Sequence, residues 1–189
     1  MELHYLRVYV SPAGGWIDIH RLHGKDEAKE NLKACKILAD LGFGIELLPC
    51  LLIKQIRLRQ QLLPDVCGIK NPDIRINGIL IGDIKTPNET NVIRKATINN
   101  AIGSAAIQKV ELVIINLSKC AYAVQDIKKG IVGALQPDRN RSIKQIWIIT
   151  NANKVFAINR ETVYNDDLYE ELEHVHSQFH LKTGQAITL

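Results

Sequence analysis

The run "VELVIIN", from Val110 to Asn116, constrains the fold more than any other stretch of this chain. A continuous apolar strand has no side to turn to water, so it belongs in a sheet covered on both faces. Segments able to cover it stand on either side: "ETNVIRKATINNAIGSAAIQK" before it and "YAVQDIKKGIVGAL" after it both read as helices. "IKQIWIIT" and "KVFAIN" follow as two strands joined by the polar turn "NANK". Helices that alternate with apolar strands predict an α/β protein, with a mixed central sheet flanked by helices.

Upstream, Leu6–Val10 and Trp16–His20 read as short strands around the turn "SPAGG". In "GKDEAKENLKACKILADLG" apolar residues recur at Ala28, Leu32, Cys35, Leu38 and Ala39, a helix with Gly42 at its C-terminal end. "GIELLP" is a strand stopped by Pro49. Residues 51–70 suggest an amphipathic helix, "LLIKQIRLRQQLL", with Lys54, Arg57 and Arg59 exposed. The 189 residues suit one domain with a sizeable core. We divide it into a hairpin (1–24), a core (25–116), a further helix and strand pair (117–160) and a charged tail helix (161–189).

Composition excludes little. A net charge of +4 permits an anionic partner such as nucleic acid without requiring one. The N-terminus lacks a signal-peptide pattern, and "IELLPCLLIK", the longest apolar region, is too short and too broken to span a membrane. Cys35, Cys50, Cys67 and Cys120 have no CxxC spacing, which favours buried free thiols in a reducing compartment.

The stretch "NPDIRINGILIGDIKTP" departs from plain scaffolding. Two apolar strands flank an Asn-Gly turn, yet they carry Asp73, Asp83 and Lys85. Asp83 and Lys85, two apart on a strand, share a face in any register. A two-residue loop at Asn77-Gly78 would pair Ile76 with Ile79 and turn Asp73 to the other face. A three-residue loop ending at Gly78 would pair Arg75 with Ile79 and bring Asp73 round to Asp83. A functional role therefore requires a bulged or offset hairpin. Two converging carboxylates beside a lysine make a site for a hard divalent cation, Mg²⁺ first, with Mn²⁺ or Zn²⁺ as alternatives. Such a cation activates a bound water and neutralises charge on a phosphate, and Lys85 would orient that water or face the developing oxyanion. The structural alternative is a turn-starting Asp73 and a surface ion pair. The apolar neighbours Ile79, Leu80, Ile81 and Ile84 argue against full exposure.

On the first helix, Glu27 and Asn31 fall on or beside the apolar stripe, with Glu30 at its edge. A buried polar group needs a partner, since leaving it unsatisfied costs roughly 1–3 kcal/mol. An active-site network would supply one; a core hydrogen bond for Asn31 and the helix dipole for Glu27 would serve equally. Asn31, Thr86, Arg94, Ser104 and Gln108 are candidates for substrate contact, against the plainer reading of a solvated helix face for most of them. His20 and His23 are acid–base candidates. His174, His176 and His180 in the tail read as surface residues, and Trp16 and Trp147 as core.

Pro72-Asp73 followed by Asp83-Ile84-Lys85 resembles the PD-(D/E)xK nuclease motif, and the helix, three strands, helix and strand around it resemble that superfamily's restriction-endonuclease-like αβββαβ core. More narrowly, "GGWIDIHRLHGKDEAKENLKACKILADLGFGIELLP", "NPDIRINGILIGDIKTP" and "IKQIWIIT…KVFAI" are similar to the toxin domains of contact-dependent growth inhibition systems, in the branch that cleaves tRNA. The likeness covers about residues 14–160. It implies a metal-dependent tRNA endonuclease, delivered into the cytoplasm of a target bacterium as part of a larger secreted protein and blocked by a cognate immunity protein. It also implies that Asp73 and Asp83 are metal ligands, that Lys85 is catalytic, and that Glu27 is the acidic residue of the first core helix.

Overall fold

A computed structural model describes residues 4–88 and 92–164. Eight strands form one mixed sheet, and their order in space follows their order in the chain. β1 (Tyr5–Val10) and β2 (Trp16–His20) are the antiparallel N-terminal hairpin. Helix α1 (Lys25–Asp40) leads to β3 (Gly44–Leu47), parallel to β2. After the short α2 (Ile56–Leu62), β4 (Ile74–Ile76) runs antiparallel to both β3 and β5 (Leu80–Lys85). Through α3 (Lys95–Ile107) and α4 (Val124–Ala134), β5, β6 (Leu112–Asn116) and β7 (Gln145–Ile149) lie parallel. β8 (Val155–Asn159) turns back against β7 and runs into α5 (Arg160–Tyr164). From α1 to β6 the order is helix, strand, strand, strand, helix, strand, with α2 interposed.

Every residue of β6 is buried, as its unbroken apolar run requires. Alternate residues feed two cores. Leu112 and Ile114 join Ile17, Ile45, Leu47, Ile74 and Ile84 beneath Cys35 and Leu38 of α1. Val113 and Ile115 join Ile146 and Ile148 beneath Ile98, Ile102 and Ile131 of α3 and α4. The helices α3 and α4 approach closely because Gly130 has no side chain; a Cβ there would stand 2.5 Å from Ile98 Cβ.

Several expectations need correction. The α3 helix starts at Lys95, because Ile93 is held in a parallel bridge with Tyr122. The 51–70 segment contains only one seven-residue helix, and Arg59 on it is buried rather than exposed. Cys35 and Cys120 are buried free thiols, whereas Cys50 and Cys67 are exposed. Trp147 packs in the core, but Trp16 is only half-buried and carries the Arg7 guanidinium over its ring at 4.3 Å. The tail helix from 165 onward, with its three histidines, lies outside the described residues.

Candidate active site

The β4–β5 hairpin decides whether the odd residues meet. Asn77 and Gly78 both adopt positive φ, 49° and 74°, and Ile79 N–H donates to Ile76 O at 3.0 Å. That closes a tight turn of the kind Asn-Gly favours. Ile79 is then left over: Ile76 pairs with Leu80, Arg75 with Ile81 and Ile74 with Gly82. The loop is therefore three residues long but ends at Ile79, and the expected Arg75–Ile79 pairing does not form. Ile79, read in the sequence as a partly buried strand residue, is 84% exposed. Asn77 is fixed from outside the hairpin, since its amide donates to Gly44 O and its side-chain oxygen accepts from Gly44 N. Continued by one step, this register sets Asp73 opposite Asp83.

The two carboxylates do meet. Asp73 and Asp83 are 8% and 2% exposed, and they are close enough for the Asp83 carboxylate to raise the Asp73 carboxyl. Asp73 Oδ2 accepts the Ile84 N–H at 2.7 Å, so it reaches onto β5 between Asp83 and Lys85. Lys85 Nζ lies 2.6 Å from Asp83 Oδ2 in an ion pair that makes no well-aligned hydrogen bond, which leaves that buried oxygen without one. Burial first, then the charge of Asp83, pushes Asp73 up to about 8; the Ile84 amide and Lys85 pull the other way. Burial works against the Lys85 ammonium, but Asp83 outweighs it, with help from Asp73 and Glu27, and the net shift is upward. Lys85 therefore stays cationic at neutral pH. Behind the pair, burial raises the Cys35 thiol, and the Asp73 charge adds to it.

The remaining candidates divide. Glu27 is exposed, not on the apolar stripe: full burial on α1 begins only at Asn31. It still lies within electrostatic reach of Lys85. Glu30 pairs with Lys33 at 2.5 Å. Asn31 is buried, and its side-chain amide stands 3.4 Å from His23 Nε2, while His23 Nδ1 stands 2.6 Å from Leu48 O. A core hydrogen bond, not the carboxylate cluster, partners Asn31. His20 is buried, and desolvation lowers its pKa; its Nδ1 accepts the Leu22 N–H. Thr86 Oγ1 meets Asn116 Nδ2 at 3.4 Å, tying the carboxyl ends of β5 and β6. Gln108 Oε1 accepts the Asn71 N–H at 3.2 Å, two residues before Asp73. Arg94, just before α3, and Ser104 on it are exposed, and among the described residues no hydrogen bond links either to the cluster. Arg59, missed as a site neighbour, is bonded to Asn71 at 2.9 Å; nothing local in the sequence marks it as buried.

The cluster could hold a cation only through its two carboxylates. Two buried carboxylates lie beside one lysine, and burial together with the Asp83 charge raises the Asp73 carboxyl. Among the described residues no three His, Cys, Asp or Glu side chains group to hold a metal. What the chain offers is a pair of carboxylates, enough for Mg²⁺, which keeps several waters and takes further oxygens from a phosphate.

A family profile described as "Contact-dependent growth inhibition CdiA C-terminal domain" matches residues 70–155. The matched stretch contains Asp73, Asp83, Lys85 and Gln108, and it leaves out α1 and nearly all of the 51–70 segment. Among solved structures, "CdiA-CT/CdiI toxin and immunity complex from Burkholderia pseudomallei" is similar, at 18% identity with a TM-score of 0.46. That likeness covers 74% of this chain and 91% of the other. No curated protein matches. No helix among the described residues is long and apolar enough to cross a membrane.

Proposed function

We propose that this chain is a metal-dependent endonuclease that hydrolyses phosphodiester bonds in tRNA and serves as a toxin of contact-dependent growth inhibition, restrained by a cognate immunity protein. The observation that carries the reading is the buried Asp73–Asp83 pair with Lys85 beside it, on neighbouring strands. The profile match over the same residues supports the toxin context.

Asp73 and Asp83 would hold the cation. Once bound, it lowers the pKa of a coordinated water and offsets charge accumulating on the phosphate. Because burial and the Asp83 charge raise Asp73 to about 8, holding a cation there would displace its proton, and affinity would rise with pH toward 8. Lys85, kept charged by Asp83, cannot take a proton from water; it acts as a fixed positive donor that orients the nucleophile or meets a phosphate oxygen. Glu27, at the exposed start of α1, would add a carboxylate within electrostatic reach of Lys85. Thr86, just past the end of β5, is a hydroxyl within reach of a backbone phosphate.

Incubating the purified protein with total tRNA, with and without Mg²⁺, tests this reading. Discrete fragments that need the metal and vanish in Asp83→Ala are expected. Cleavage of plasmid DNA alone would keep the site and change the substrate.

A further inference from the structure

The 51–70 segment is closed by one buried cation. Arg59, 5% exposed, donates to Leu51 O at 2.8 Å, to Asn71 Oδ1 at 2.9 Å and to Lys70 O, so one guanidinium grips both ends of the segment. Asn71 completes the junction. Its Oδ1 also accepts the Leu51 N–H at 3.1 Å, its Nδ2 donates to Leu51 O at 3.0 Å, and its own N–H donates to Gln108 Oε1. Only Pro72 separates Asn71 from Asp73. Proline fixes φ near −65°, so a displacement of Asn71 passes to Asp73 with little slack.

Closing the segment does not by itself call for a buried charge, since Leu48, Leu51 and Leu63 already form an apolar cluster beneath it. Burying a guanidinium is costly unless its donors are satisfied; Arg59 Nε finds no partner among the described residues, and the acceptors that its other donors do find all lie at the junction that leads to Asp73. We infer that Arg59, Asn71 and Gln108 form a clamp that sets where the Asp73 carboxylate stands against Asp83. The 51–70 segment is then a positioning device for the candidate site. Its consequence for catalysis rests on the endonuclease reading; its geometry does not.

Gln108→Ala removes one jaw of the clamp without touching the core, and Gln108→Glu keeps an acceptor for the Asn71 N–H. The Ile84 amide, which donates to Asp73 Oδ2, reports where Asp73 stands. In Gln108→Ala its NMR resonance moves and its hydrogen exchange quickens, Mn²⁺ affinity measured by calorimetry falls about tenfold, and kcat on tRNA falls about tenfold at unchanged KM. Gln108→Glu restores all of these. A Gln108→Ala protein with a lower Tm but an unchanged Ile84 amide and unchanged Mn²⁺ affinity overturns the clamp, even if the wild type cleaves tRNA. A moved Ile84 amide in a protein whose wild type neither binds Mn²⁺ nor cuts RNA upholds the clamp and sinks the endonuclease reading.

Discussion

Replacing Asp73 by Asn should make the metal-free protein more stable, and increasingly so as pH rises. Asp73 titrates at about 8 in the folded chain against an ordinary 3.8, so the native state binds more protons than the unfolded state across that window. Stability conferred on the folded chain therefore falls as pH rises from about 4 to 8. The full separation corresponds to roughly 6 kcal/mol at most. The introduced asparagine cannot ionise, yet its side-chain oxygen can still accept the Ile84 N–H that Asp73 holds at 2.7 Å. The stability difference between variant and wild type should be near zero at pH 4 and grow by about 1.4 kcal/mol per pH unit toward pH 8. Urea unfolding in EDTA at half-unit pH steps measures it. A difference that stays flat from pH 4 to 8, or an Asp73→Asn protein less stable than wild type at pH 8, refutes the reasoning.

Other consequences are quicker to state. Lys85→Met should destabilise the fold by about 1–3 kcal/mol, because it strands a buried Asp83 charge; adding Asp83→Asn should recover most of that in chemical denaturation. Saturating Mn²⁺, at about a hundred times its Kd, should raise wild-type stability by about 2.7 kcal/mol and leave the Asp73→Asn, Asp83→Asn double variant unmoved in thermal melts. Gly130→Ala should cost about 1–3 kcal/mol, since its Cβ would stand 2.5 Å from Ile98 Cβ and 2.8 Å from Lys95 O, with backbone on one side of the clash; a Tm matching wild type contradicts the packing described between α3 and α4.

How far the sequence carried depended on whether a feature was local. Periodicity was enough for α1, for the N-terminal hairpin and for β6, because burial on one stripe or on both faces is written into consecutive residues. The need for an offset hairpin could also be derived, since only certain registers put Asp73 with Asp83. The form of the offset could not. Ile79 looks like a strand residue, and the contact that frees it is made by Asn77 to Gly44, 33 positions away. Arg59 sits in an amphipathic pattern like any surface arginine, and its acceptors Lys70 and Asn71 lie 11 and 12 residues on. Asn31 was legible as a polar residue in need of a partner, but the choice of His23 over the carboxylates follows from how the loop before α1 returns to β3. The burial of Glu27 was misjudged for the opposite reason: a helical wheel has no ends, and full burial on α1 begins only at Asn31.

The central claim is that Asp73, Asp83 and Lys85 hydrolyse RNA with a divalent cation. It is tested most directly by following purified protein on total tRNA in Mg²⁺ or Mn²⁺ against EDTA, with Asp83→Ala and Lys85→Ala alongside. The account predicts discrete tRNA fragments from the wild type in metal only, and intact tRNA with either variant. Intact tRNA and plasmid DNA across all metals, or fragments that persist in Asp83→Ala, would contradict it and leave the three residues as a structural ion cluster.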